Sequence, residues 1–216
     1  MPDLTQLALY VAAALVLAVT PGPGIFYVAA RTLAGGRAEG VASSLGTGLG
    51  GMVHVLAGSL GVSAIVLASA ELFTALKLIG AAYLAWIGFR TIRSARQQAS
   101  AMPDGNRPTP PQGTGRAFRE GVLVEALNPK TAAFFLAFVP QFVDPAAGGV
   151  ALQFVVLGAV SVALNTAADV VVAFMASGLR EGAAARPTLI RRLREASGAA
   201  MVALGVGLAL AKRPAA

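Results

Sequence analysis

The chain has no cysteine, one histidine and few charges: 17 basic and 10 acidic residues make up only 12% of its 216 positions. Without cysteine there can be no disulfide, thiolate metal site, iron–sulfur cluster or thiol-relay electron carrier. A charged fraction about half the usual value of roughly 25% cannot cover a water-soluble surface. Aromatic residues are also scarce, at 6%, and are not interleaved with the basic ones, so the net charge of +7 does not point to nucleic acid as a partner. What the chain has in abundance is apolar surface, at 56% of residues. That amounts to about 120 residues, or six spans of roughly 20, the length that crosses a bilayer. Composition thus excludes an ordinary cytosolic enzyme and points to an all-α integral membrane protein.

The apolar runs cover approximately Leu4 to Val28, Val41 to Ala68, Leu72 to Phe89, Ala117 to Val139, Gly149 to Ser177 and Ser197 to Ala211. Met-Pro-Asp at the start lacks the positive n-region of a signal peptide, so the first run is expected to be a retained span. Of the 14 arginines, 13 fall in three gaps: Arg31 and Arg37 after the first run, Arg90 to Arg119 after the third, and Arg180 to Arg194 after the fifth. The alternate gaps carry only Glu71 and Asp144. By the positive-inside rule the arginine-rich loops are cytoplasmic, in a multi-pass protein of the inner (plasma) membrane. Lys212 and Arg213 run against this orientation, two charges against thirteen.

A proline- and glycine-rich linker, residues 99–116, separates a first three-helix unit (1–98) from a second (117–216) within one membrane domain. The two units resemble each other. Leu15–Tyr27 aligns with Leu123–Phe135 with five of thirteen residues identical, including Pro21 with Pro129 and Phe26 with Phe134. An odd number of spans per unit places the copies in opposite orientations, which predicts six transmembrane helices as two inverted three-helix repeats, a transporter architecture.

The matched prolines are the next clue. Thr20-Pro21-Gly22-Pro23-Gly24 in helix 1 and Asn128-Pro129-Lys130 in helix 4 each remove a backbone donor and obstruct the carbonyl one turn earlier, so both helices are expected to break inside the bilayer. Lipid cannot satisfy the released groups. Paired broken helices at corresponding positions point to a substrate site. Polar residues in the apolar runs, His54, Glu125, Asn128, Lys130, Asn165 and Asp169, are costly there and need partners or a cavity. Depth reckoned at about 1.5 Å per residue puts Thr20, Glu125, Asn128 and Asp169 in approximately one layer. Glu125 and Asn128 (i, i+3) share a helix face, as do Asn165 and Asp169 (i, i+4). This layer is the candidate substrate site, with Asp169 or Glu125 as the proton-linked carboxylate. His54 is a further proton-coupling candidate or a hydrogen-bonded packing residue. Lys130 is a candidate for a substrate carboxylate, or a partner of an acid. In helix 2, Gly46-x-x-x-Gly50 has the spacing of close helix association.

Together, Thr20-Pro21-Gly22-Pro23, the glycine-rich helix 2 with Val53-His54, Lys77-Leu78-Ile79-Gly80-Ala81-Ala82-Tyr83, Phe118-x-x-Gly121, Asn128-Pro129-Lys130, Phe134-Phe135 and Pro140-Gln141-Phe142 resemble the LysE/RhtB family of amino-acid exporters. The resemblance runs from the first helix through the fourth and weakens beyond. It implies a secondary transporter, not an enzyme, that exports amino acids by proton antiport, as a homodimer and without a cofactor. The family's signature positions carry over to Thr20, Pro21, Gly22, Pro23, Asn128, Pro129 and Lys130. Gly24 departs from the pattern, since relatives often have a polar residue there. Neutral or homoserine-like substrates are expected over lysine, because the layer holds only two acids.

Two other readings compete. An exporter of inorganic or metal cations would need several His, Cys or carboxylate ligands, and one histidine and two acids supply few. An intramembrane hydrolase would pair His54 with Ser59, Ser63 or Ser161, but none of these serines lies in a recognisable nucleophile turn.

Overall fold

In a computed structural model, the described residues are 4–68, 70–98, 111 and 113–179, with individual positions between 192 and 210. Among the described residues there are seven complete α-helices and no strand. Helices α1 (Leu4–Val19) and α2 (Pro23–Gly35) meet at an angle of 47° across Thr20-Pro21-Gly22. α3 (Arg37–Ala68) and α4 (Ala70–Gln98) follow. α5 (Thr114–Ala126) and α6 (Pro129–Ala133) flank the second break, and α6 continues through a π turn, Phe134–Phe138, and a 3-10 turn, Val139–Phe142. The bend there is 44°. α7 (Val150–Leu179) is the last complete helix.

α3 and α7 are each long and apolar enough to cross a membrane, and the two bent pairs bring the candidate spans to four among the described residues. Most of the expected sixth run, much of the linker, and the Gly198-Ala-Ala echo of Gly80-Ala-Ala lie outside the described residues. Where positions are described, Gly205 packs against α4: a Cβ there would lie 2.6 Å from Ala81 O.

Both breaks follow from proline chemistry. Pro23 and Pro129 stand in the first turn of α2 and α6, where a missing N–H costs nothing, while Pro21 and Pro129 end the preceding helices. The Asn128 side chain caps α6 by accepting from Lys130 N at 3.0 Å. Gly36, at φ +83°, ends α2 with its N–H on Thr32 O at 2.8 Å, and the chain turns directly into α3.

α2 thus extends past the apolar run, which stops near Val28, and this corrects one expectation. Arg31 is not a loop charge but a helical residue, 4% exposed and paired with Glu39 of α3 at 3.8 Å. Glu39 Oε1 also accepts from Gly113 N at 2.7 Å, tying the α2–α3 turn to the start of α5. α5 begins at Thr114, earlier than its apolar run suggests.

α3 packs along α5 and α7, and α7 along α1 and α2. The α3–α5 contact is backbone to backbone. A Cβ at Gly46 or Gly50 would overlap Phe118 O or Val122 O, and one at Gly121 would lie 2.7 Å from Ser43 O. The expected Gly46-x-x-x-Gly50 association face is therefore used, and by α5. At the other end of the bundle an apolar core gathers Tyr10, Phe134, Phe135, Val139 and Phe154. It is pinned by the Tyr10 hydroxyl, which bonds Leu157 O at 2.7 Å and the Ser161 hydroxyl.

Candidate functional site

The two breaks meet at the centre of the bundle. Thr20, Glu125, Asn128, Lys130 and Asp169 are each at most 4% exposed, and most of these polar groups are paired. Glu125, in the last turn of α5, accepts from Asn128 Nδ2 at 2.9 Å on one oxygen and from Thr131 Oγ1 at 2.6 Å on the other. Each carboxylate oxygen thereby has a donor.

Lys130 has no acid at salt-bridge distance among the described residues. Its Nζ donates to Thr20 O at 3.0 Å and Leu17 O at 3.2 Å. These are carbonyls at the C-terminal end of α1, where the helix dipole favours a cation. Glu125 lies at the opposite pole of the same break, since a Cβ built on Gly24 would stand 2.7 Å from its Oε2. Gly24 is in the first turn of α2, the dipole's positive end, where a carboxylate is stabilised. A Cβ on Gly22 would likewise lie 3.2 Å from Lys130 Nζ. The two glycines of Thr-Pro-Gly-Pro-Gly thus make room for two charges that come from the other half of the chain. That accounts for Gly24, where the family resemblance leads one to expect a polar side chain.

Asp169 is fully buried on α7. Thr47 Oγ1 of α3 lies 2.7 Å from Asp169 Oδ2 and 2.9 Å from Ser44 O, while Asp169 Oδ1 has no hydrogen-bond partner among the described residues. His54 Nε2 contacts Glu125 O at 2.9 Å, and its ring stacks on Phe135 with centroids 6.1 Å apart. A carbonyl only accepts, so the Nε2 nitrogen carries the hydrogen. Of the serines considered as partners for His54, Ser161 is bonded to Tyr10 and Ser59 to Leu56 O; the Ser63 side chain lies outside the described residues.

Between these groups is a narrow, partly open cleft of about 10 Å³, room for about one water, lined among others by Leu17, Thr47, Glu125, Thr131, Ser161 and Asn165. Thr47, Gly48 and Gly51 of α3 and Ser161, Val162 and Asn165 of α7 form facing walls, with Phe135 also in the lining. The structure therefore brings together Thr20, Glu125, Asn128 and Lys130 by direct contact, and sets Asn165 and Glu125 on one cleft. Asp169 joins through Thr47. The residues that sequence reasoning missed are Thr47 and Thr131, hydroxyls with no distinctive spacing of their own; Ser161 was weighed only as a nucleophile beside His54. No group of three or more His, Cys, Asp or Glu residues suited to a metal ion occurs among the described residues.

Known proteins resemble this chain over most of its length. The family model described as LysE type translocator matches residues 15–212. A protein of Pseudomonas aeruginosa named only as an uncharacterized membrane protein is 34% identical over 98% of this chain and 99% of its own length. The homoserine/homoserine lactone efflux protein of Salmonella typhimurium is 30% identical over 94% of this chain and 95% of its own. The leucine efflux protein of an Enterobacter species is 26% identical, over 68% of each. No solved structure matches. With a family model covering nearly the whole sequence, and a broken-helix centre built from the residues that carried the resemblance, the chain belongs to the LysE type translocator family.

Proposed function

We propose that this protein is a secondary transporter of the inner membrane that exports neutral or homoserine-like amino acids from the cytoplasm by proton antiport. The observation that carries this reading is the pair of buried carboxylates, Glu125 and Asp169, held among hydroxyls beside two helices broken at matching prolines. The names of two relatives, an exporter of homoserine and its lactone and an exporter of leucine, support amino acids as the substrate class. The matched bends and the crosswise packing of α3 on α5 and of α7 on α1 and α2 support two inverted halves that rock about the centre, with six spans in all. The arginine-rich loops face the cytoplasm, and the working unit is a homodimer in the bilayer.

The substrate enters where this narrow cleft opens as the halves part, against the breaks at Thr20–Pro23 and Asn128–Pro129 and against Asn165. The acids divide the work. Glu125 accepts two hydrogen bonds, one on each oxygen, and meets the substrate ammonium. Asp169 carries the proton. Thr47 has one hydroxyl hydrogen and two oxygens within reach, Ser44 O and Asp169 Oδ2. A protonated Asp169 resolves this by donating to Thr47, which then donates to Ser44 O. Deprotonation removes that donor and leaves a buried charge, which is relieved when an ammonium enters.

The test is transport by the purified protein in vesicles. Asp169→Asn, which fixes the neutral form, loses flux driven by a pH gradient but keeps exchange of amino acid for amino acid. Glu125→Gln loses both. Unchanged pH-driven flux in both variants removes the carboxylate mechanism, and no amino-acid flux from the unmodified protein across a panel removes the exporter reading.

A further inference from the structure

Each proline leaves one specific carbonyl without its usual partner. In an α-helix the carbonyl of residue i accepts from the N–H of residue i+4. Pro21 therefore orphans Leu17 O, and Pro129 orphans Glu125 O. Both carbonyls are treated alike. Each accepts a backbone N–H from three residues on, Thr20 N to Leu17 O at 3.2 Å and Asn128 N to Glu125 O at 3.0 Å. Each then receives one side-chain nitrogen from another element: Lys130 Nζ at 3.2 Å for Leu17 O, and His54 Nε2 at 2.9 Å for Glu125 O. Leu17 and Glu125 are also the positions that align when the two halves are superposed in sequence.

We infer that Lys130 and His54 are a matched pair of hinge donors, positioning residues that hold the two breaks closed and whose release lets the half-helices swing. Neither is a substrate ligand or a proton carrier. The inference rests on the transporter reading for its functional consequence, but not for its geometry. In each case one bond joins two bodies that must move apart: Lys130 ties the second half to α1, and His54 ties α3 to α5. His54 donates from Nε2 as a neutral ring and as a cation alike. This latch therefore needs no titration.

The protein lacks cysteine, so a single thiol can be introduced without background. Val162→Cys places it on the cleft wall. In vesicles, labelling of this thiol by a small water-soluble maleimide reads cleft opening and needs no substrate. His54→Phe keeps a ring against Phe135 and removes only the donor. It is expected to label about tenfold faster than its parent, the worth of one modest hydrogen bond. His54→Gln, whose amide nitrogen reaches where Nε2 stood, restores slow labelling. Lys130→Met behaves as His54→Phe does. For amino-acid efflux, His54→Phe changes kcat with KM held within about twofold, since the cleft walls are untouched.

Equal labelling of His54→Phe and its parent overturns the inference. So does fast labelling of His54→Gln, which would place the effect in the ring and not in its N–H. Loss of pH-driven concentrative efflux in His54→Gln, with exchange retained, makes His54 the proton carrier and overturns it too. A protein that exports no amino acid still answers the labelling experiment, so failure of the hinge and failure of the transport reading are separable.

Discussion

The glycine seam between α3 and α5 offers a sharp test of what holds the centre in place. Gly46 and Gly50 face the backbone of α5, and Gly121 of α5 faces the backbone of α3, with Ser43 O only 2.7 Å from where its Cβ would be. Carbon–oxygen contacts settle at about 3.3–3.6 Å. An alanine at Gly121 therefore needs roughly 0.6–0.9 Å of separation, and alanines at Gly46 or Gly50 need more, because their Cβ atoms would overlap carbonyl oxygens outright. Backbone cannot rotate away as a side chain can. Overpacking of this kind costs about 1–3 kcal/mol, against which alanine returns about 0.5–1 kcal/mol of helix preference. Gly46→Ala and Gly50→Ala are thus each expected to lose about 1–2 kcal/mol, a five- to thirtyfold change in the folded ratio. Gly61→Ala is the control, since a Cβ there meets nothing within 4 Å among the described residues. It should be neutral or slightly stabilising. Reversible unfolding in mixed micelles with increasing dodecyl sulfate measures all three. If Gly46→Ala and Gly50→Ala unfold together with Gly61→Ala, close backbone approach is not what these glycines are for.

Two further outcomes follow from named contacts. Arg31→Met removes the guanidinium 3.8 Å from the buried Glu39 carboxylate and is expected to cost about 3 kcal/mol, the low end for a broken buried pair because Gly113 N still donates to Glu39, whereas Arg31→Met with Glu39→Leu recovers a large part; the same micelle titration checks it, and an additive double variant would mean that the pair is not coupled. Gly24→Ser puts a side chain where Glu125 Oε2 sits 2.7 Å away. It should cut efflux about tenfold, one charged hydrogen bond's worth, with unfolding little changed; full flux would show that Glu125 need not lie at the start of α2.

The sequence marked the breaks well because proline acts locally: whatever surrounds Pro21 and Pro129, each removes a donor and ends a helix. The Gly46–Gly50 face was legible for a similar reason, since only small residues permit backbone contact. Helix ends were less so. Val28 closes an apolar run, yet α2 continues to Gly35 because Arg31, which hydropathy reads as a loop residue, finds Glu39 on the next helix and is buried there. Partners were the least legible. Sequence names Leu17 O and Glu125 O as orphaned carbonyls, but the choice of Lys130 and His54 to fill them depends on how distant helices cross. Thr47 and Thr131 escaped notice because a hydroxyl in an apolar helix ordinarily bonds its own backbone, as Thr32 does to Val28 O. Only the fold reveals which of them faces a carboxylate.

The two halves are alike in their breaks but not in their charges, and the difference bears on how one site is made from two repeats. Alignment sets Glu125 opposite Leu17 and Lys130 opposite Gly22, so the first break has no ionisable residue of its own. A symmetric centre would hold two acids and two bases, each with its own burial cost. Here the second half supplies one of each, and both are directed into the first break, Lys130 to the carbonyl end of α1 and Glu125 to the amide end of α2. The helix dipoles of the broken span are neutralised, and so is the pair itself. Asp169 is then the one remaining charge that can change. On the proposed mechanism a zwitterionic amino acid adds no net charge to this balance, so the proton that leaves or rejoins Asp169 is the one net charge exchanged at the centre. The charge balance of the site thus favours coupling to a single proton.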